Sequence, residues 1–280
     1  MRMSSSKKRP KHSCSRWLTS EQDLLHNKAW KMVELIEEFI TDPKFDFLQV
    51  TAFKMPDGTN PDDILKYNHP LDFLIAKHPA DAQCVIFKQI TYGMIIDFCY
   101  FIQEALSCAK RGRIVVAYSL LRRPLVYNLT ILMRMMYDES FYNKFLHDSS
   151  YDATVYKSED LQKMLAEFDK VKVMSPINAA VIYGLIFDKD NPASIINLSN
   201  RAIHPTTTRR WNMTGEMNFN FIFAMPEDVS NLINVFYHNI LAIITYYFEL
   251  FSTIIIQYAP TDKAESLTIS QYQKLADCMS

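Results

Sequence analysis

Glycine is the scarcest signal in this chain: five residues in 280, at Gly58, Gly93, Gly112, Gly184 and Gly215, where ordinary usage of about 7 % would supply roughly 20. All five are widely separated. Dinucleotide fingerprints and P-loops need clustered glycines so that backbone N–H groups can approach a phosphate, so both kinds of nucleotide site are excluded. Cysteine is also sparse, with Cys14, Cys84, Cys99, Cys108 and Cys278 making an odd number and no C-x-x-C pair. Neither a disulfide framework nor a zinc site follows from that spacing. Reduced thiols in a cytoplasmic protein are the expectation. The chain also lacks G-x-S-x-G, H-E-x-x-H and an EF-hand loop, each of which carries a known chemistry. No cofactor and no metal is expected, and no internal repeat is apparent. The start, MRMSSSKKRPKHSCSRW, has positive charge but no apolar run and does not read as a secretory signal.

What is present is material for a large dry core. Hydrophobic residues make up 49 % and aromatics 13 %, which rules out a disordered chain. The formal charge of -1 hides an uneven distribution. Arg2, Lys7, Lys8, Arg9, Lys11 and Arg16 make the first sixteen residues +6, and the remaining 24 basic and 31 acidic residues leave -7. Residues 1–18 are expected to be a disordered basic tail, a solubilising arm or one that seeks a polyanion. Residues 19–280 are expected to form a single helical-bundle domain.

Helical punctuation recurs along that domain. Thr19 and Gln22 form a capping box before a helix over 20–41, whose apolar positions run from Leu25 to Ile40 at helical spacing. Residues 42–70 read as a surface connector with turns and room for one short strand. A segment apolar on all sides, 81–109, predicts a central bundle helix. The Lys110–Arg113 turn reverses it into a second long helix over 114–137, where Pro124 should kink the axis. These two make a long antiparallel hairpin on which the all-α fold is built. An amphipathic helix over 158–171 and two shorter ones over 176–187 and 192–203 follow, the last stopped by His204-Pro205. Between 206 and 225 the period changes toward two, and a small β-like insertion is expected there. The longest helix runs from Pro226 to about Tyr258. Its charge-free stretch 231–248 also contains Asn231, Asn234, His238 and Asn239, so no membrane span is expected.

Few polar residues interrupt these apolar segments, and those few are the site candidates. Asp97 and the Arg122-Arg123 pair occupy facing positions of the hairpin. They predict a buried Asp97–Arg122 ion pair, or alternatively Arg122 and Arg123 lining an anion pocket. Arg201 and His204 share a helix face at i, i+3, next to Thr206-Thr207-Thr208-Arg209-Arg210. There His204 could be a general acid or base beside Arg201, with Arg209 and Arg210 holding phosphate. The plain alternative is a histidine capping a helix C-terminus. His69 and His78 each precede a proline and read as loop histidines.

The run AYSLLRRPLVYNL in mid-helix, followed far downstream by NRAIHPTT at a helix end, resembles bacterial all-helical proteins related to the HEPN superfamily. That resemblance spans roughly 81–258 and implies an all-helical fold and a place in a defence or toxin system. Ribonucleases of the superfamily place a histidine four to six residues after an arginine, a pair this sequence lacks. Two function classes follow. The first is a cytoplasmic helical interaction module, with a protein partner or a second copy meeting an aromatic helix face as a homo-oligomer. The second is a nucleic-acid-directed effector or ribonuclease with RNA as partner.

Overall fold

In the computed structural model, the described residues are 17–49, 55, 57–173, 175–208, 213–216, 219–220 and 226–279. The expected tail lies almost wholly outside them. The chain is all-helical among these residues, with no strand. It runs α1 (Ser20–Thr41), α2 (Pro61–Ile64), α3 (Pro70–Lys77), α4 (Pro79–Lys110), α5 (Ile114–Leu121), α6 (Asn128–Tyr137), α7 (Phe141–His147), α8 (Ser158–Asp169), α9 (Ala179–Ile186), α10 (Ile195–Ile203), α11 (Pro226–Tyr258) and α12 (Ala264–Met279).

Local signals explain most boundaries. The Thr19 side chain accepts the Gln22 N–H and Gln22 accepts the Thr19 N–H in return, opening α1. The helix predicted over 176–187 begins later, at Ala179, where the Asn178 side chain caps it by accepting the Val181 N–H. Likewise α10 begins after Ser194 and ends at Ile203, with His204 extended before its proline. The connector 42–70, expected as turns with room for one short strand, proves more helical: Pro43–Leu48 is a 3₁₀ turn, and α2 follows at Pro61. Helices α7 and α12 were not anticipated, being short or weakly patterned.

The bundle is centred on α4 and α11, with α1 against both and α5 folded back along α4. Phe98 of α4 stacks on Tyr247 of α11 with ring centroids 4.4 Å apart, and both side chains are fully buried. Burying a side chain of this size contributes about 1.5–3 kcal/mol each. α4 and α11 are long and apolar enough to cross a membrane, but 72 % of the apolar window of α11 is buried inside the protein, against 44 % for α4. The apolar content of α11 is thus largely accounted for by the core. The reversal between α4 and α5 depends on Gly112, whose φ of +69° favours glycine. A Cβ there would also lie 2.5 Å from the Trp17 ring.

Pro124 does not merely bend the second helix. Residues Arg122–Tyr127 form a π-helical turn between α5 and α6, a form found mostly as single-turn bulges at functional sites. The Asn128 N–H reaches back five residues to the Arg123 carbonyl. The buried Tyr247 hydroxyl donates to the Pro124 carbonyl at 2.7 Å, so the altered ladder leaves that acceptor with a partner.

Candidate functional site

The π-helical turn sends its two arginines to different neighbours. Arg123 is exposed and pairs with Asp97, Nη2 to Oδ2 at 2.6 Å and Nε to the same oxygen at 2.8 Å. The expected buried Asp97–Arg122 pair is therefore corrected: the partner is the next residue, and the pair sits at the surface, where its side chains are 28 % and 60 % exposed. Residues one position apart in a helix face different directions, and a one-residue error in matching the hairpin changes the partner. Arg123 also lies over the Phe101 ring and does not line the cavity described next.

Arg122 turns toward α10. Its Nε–H donates to the Tyr127 hydroxyl at 2.6 Å, its guanidinium lies 5.4 Å from the centroid of the same ring, and its Nη1 donates to the Asn200 Oδ1. The packing of α10 on α5 makes this link, which joins residues 78 positions apart. On α10, Ile196, Asn200 and His204 fall at i, i+4 and i+8, and all three line one cavity of about 460 Å³. The rest of its wall is Arg122, Lys189, Tyr156, Thr154, Val155 and Thr206 to Thr208. Among the described residues the lining holds two permanent cations and one imidazole, four threonine hydroxyls and no carboxylate. Such a set suits an anion.

Each wall is held from behind. Asn197, almost fully buried, donates its amide to the Lys189 and Asn191 carbonyls at 2.8 and 2.9 Å, fixing the loop that presents Lys189. Arg134 of α6 donates to the Val155 carbonyl and to the Tyr151 hydroxyl, fixing the loop before α8. Asn220, also buried, donates to the His204 carbonyl at 2.8 Å and accepts from the Thr214 hydroxyl, while the Thr207 N–H donates to the Thr214 hydroxyl at 2.7 Å. These side-chain ties, with backbone bonds from the Thr214 N–H to the Thr207 carbonyl at 2.9 Å and from the Asn220 N–H to the Pro205 carbonyl at 2.8 Å, hold the described part of the segment expected to be a β-like insertion, where no strand is present among the described residues. Preorganisation of this kind lets a pocket bind without reordering its walls.

The sequence candidates divide accordingly. His204 and Arg122 come together in one cavity, although they were assigned to separate constellations. His204 is exposed and does terminate α10, its N–H donating to the Asn200 carbonyl at 2.9 Å. Capping position and cavity lining therefore coexist in one residue. Arg201 is half-buried and not among the lining residues; Asn200, one position earlier, takes the place expected for it. Arg209 and Arg210 lie outside the described residues. Sequence reasoning missed Tyr156, Lys189 and Thr154, to which no spacing in the chain points, and Asn200, which its i, i+4 spacing to His204 could have found. Burial pushes the Tyr156 hydroxyl up to about 12, so near neutral pH it keeps its proton and can donate a hydrogen bond at the cavity wall.

Among the described residues no cluster of histidine, cysteine, aspartate and glutamate could hold a metal ion. His69 caps α3 by accepting the Leu71 N–H at 3.1 Å, and His78 joins α3 to α4. Comparison of the chain with protein-family models, with curated proteins and with solved structures returns no match.

Proposed function

We propose that the chain is a nucleic-acid-directed effector whose cavity between the π-helical turn and α10 takes an RNA phosphodiester. The observation that carries the reading is the lining itself: Arg122 and Lys189 with His204 and four threonine hydroxyls, and no acid among the described residues. Arg122 and Lys189 would neutralise the phosphate. His204, acting as base, would take the proton of a ribose 2′-hydroxyl whose oxygen attacks phosphorus; the P–O5′ bond breaks, a 2′,3′-cyclic phosphate forms, and the departing 5′ oxygen takes a proton from solvent. Tyr156 would donate a hydrogen bond to a phosphate or leaving oxygen. On this reading an arginine and a histidine distant in sequence stand in for the short arginine–histidine spacing that the HEPN-like ribonucleases use. A cytoplasmic place in a bacterial defence or toxin system follows from the same resemblance. Thr206, Thr207 and Thr208, at the start of the segment read as a β-like insertion, enter as one wall of the cavity.

The interaction-module reading, with a homo-oligomer or a protein partner, rests on helix surfaces alone. A cavity with walls this firmly tied is not needed for such a role. Incubation of the protein with RNA decides between them. Cleavage should fall roughly 10²-fold in His204→Asn while the helical circular dichroism spectrum is retained, and Arg122→Ala should lose RNA affinity as well. No binding and no cleavage by the intact protein would sink the effector reading and leave the interaction module.

A further inference from the structure

A second depression lies beside the anion cavity. Helices α8 and α9 pack side by side, and between them Tyr183, Ala166, Ala179, Ala180, Gln162, Lys163 and Glu159 line a trough of about 600 Å³. Its lining is mainly apolar, carried by the half-buried Tyr183 and Ala179 and the exposed Ala166 and Ala180, with Gln162, Lys163 and Glu159 as its polar members.

The two depressions share a wall of rings. Tyr156, which lines the cavity, meets Phe187 edge-on with centroids 5.2 Å apart. Phe187 in turn stacks on Tyr183, which lines the trough, at 6.0 Å and 29°. Phe187 is buried, so it sets the separation of the two tyrosines. The backbone makes the same connection, since Tyr156 of the cavity and Glu159 of the trough are three residues apart at the start of α8. A strand whose phosphate sits by Arg122 would therefore reach the trough within a short length of chain.

We infer that the trough is a stacking subsite for an unpaired nucleobase of the RNA whose phosphate occupies the cavity, with Tyr183 as its platform. This inference rests on the phosphodiester reading and names its substrate class as single-stranded RNA. A flat aromatic face accepts any base, and protein–base stacking of this kind is a large part of single-strand affinity. Lys163 suits the strand's backbone, and Glu159 and Gln162 suit the amino and carbonyl edges of a base. A duplex keeps its bases paired and stacked, and so cannot deliver one to the trough without unpairing.

The test is an anisotropy titration with a short fluorescent 2′-O-methyl oligouridylate, which cannot be cleaved through its 2′ oxygen, beside the same strand carrying abasic positions. The intact protein should bind the abasic strand about tenfold or more weakly. Tyr183→Ala should bind the full strand about tenfold or more weakly, with Tyr183→Trp restoring affinity. Displacement of the strand by inorganic phosphate should need a similar phosphate concentration in the parent and in Tyr183→Trp. If the abasic strand and Tyr183→Ala both bind like the parent while Arg122→Ala has lost the strand, the trough is not a base subsite and the cavity reading stands alone. If the intact protein binds no strand, both readings fall together. Because the abasic comparison uses unaltered protein, a folding defect in Tyr183→Ala cannot decide the outcome.

Discussion

Two polar sites interrupt the apolar bundle, and they are opposites. Around Glu249 of α11 the carboxylate is fully buried, and it accepts the backbone N–H groups of Val173 and, at 2.7 Å, Ser175. It clasps the loop between α8 and α9. Around Arg122 the polar groups also have partners, Tyr127 and the cavity-lining Asn200, yet the guanidinium still forms part of the wall of an open cavity. A buried charge answered by backbone donors fixes the fold, since no atom of it is left to meet a ligand. A cationic group in the wall of an open cavity is prepared for something that arrives.

That contrast can be broken by substitution, beginning with the largest effect. Glu249→Ala should cost on the order of 3–5 kcal/mol, because it strands two backbone donors and leaves a void. Urea denaturation would measure it, and inorganic phosphate binding at the Arg122 cavity by the remaining folded protein should be unaffected. Arg122→Lys should do the reverse. It removes the forked donor that reaches both Tyr127 and Asn200, so RNA affinity should drop about tenfold or more while the unfolding free energy changes by about 1 kcal/mol or less. If both variants lose stability equally and neither changes binding, the distinction between the two sites is wrong.

A third prediction concerns pH. His26 of α1 is buried against α11, with its Nδ1 3.1 Å from the Tyr237 hydroxyl. Burial, helped by the Lys110 charge and opposed by Asp23, lowers its pKa from 6.5 to about 4. Between these values the unfolded chain binds the proton and the folded one does not. Stability is therefore full above pH 6.5 and falls as the pH drops toward 4, by about 1–2 kcal/mol once solvent screening is allowed for. Urea midpoints across this range should show the slope, and His26→Gln should flatten it. The smallest effect belongs to Asp97 and Arg123. Their exposed pair should contribute at most about 1 kcal/mol, and less in high salt, so Asp97→Ala should be close to neutral by thermal melting.

The legible part of the molecule is the part set by near neighbours. Helix α1 was readable at both ends because its capping box lies within four residues and its stripe repeats six times. The end of α10 was readable because a residue before proline leaves the helical region. The π-helical turn at Arg122–Tyr127 was half legible: Pro124 announces a broken ladder, but the Tyr247 hydroxyl that supports the turn comes from 123 positions away. Misassignment of Asp97 to Arg122 is likewise a matter of distant register, since a one-residue error in matching the hairpin changes which arginine meets Asp97.

Glycine poverty and three-to-four-residue apolar spacing were enough to make the chain helical, since secondary structure answers to backbone freedom and to residues within a turn or two. The identity of the cavity was not decidable at that range. Arg122, Tyr156, Lys189 and His204 carry no mutual spacing, and each is supplied by a different turn or loop. They meet because α10 packs on α5 and because Asn197, Arg134 and Asn220 hold the intervening loops. Such contacts depend on side-chain shape and hydrogen-bond direction across long chain separations, which come into existence only when the bundle closes.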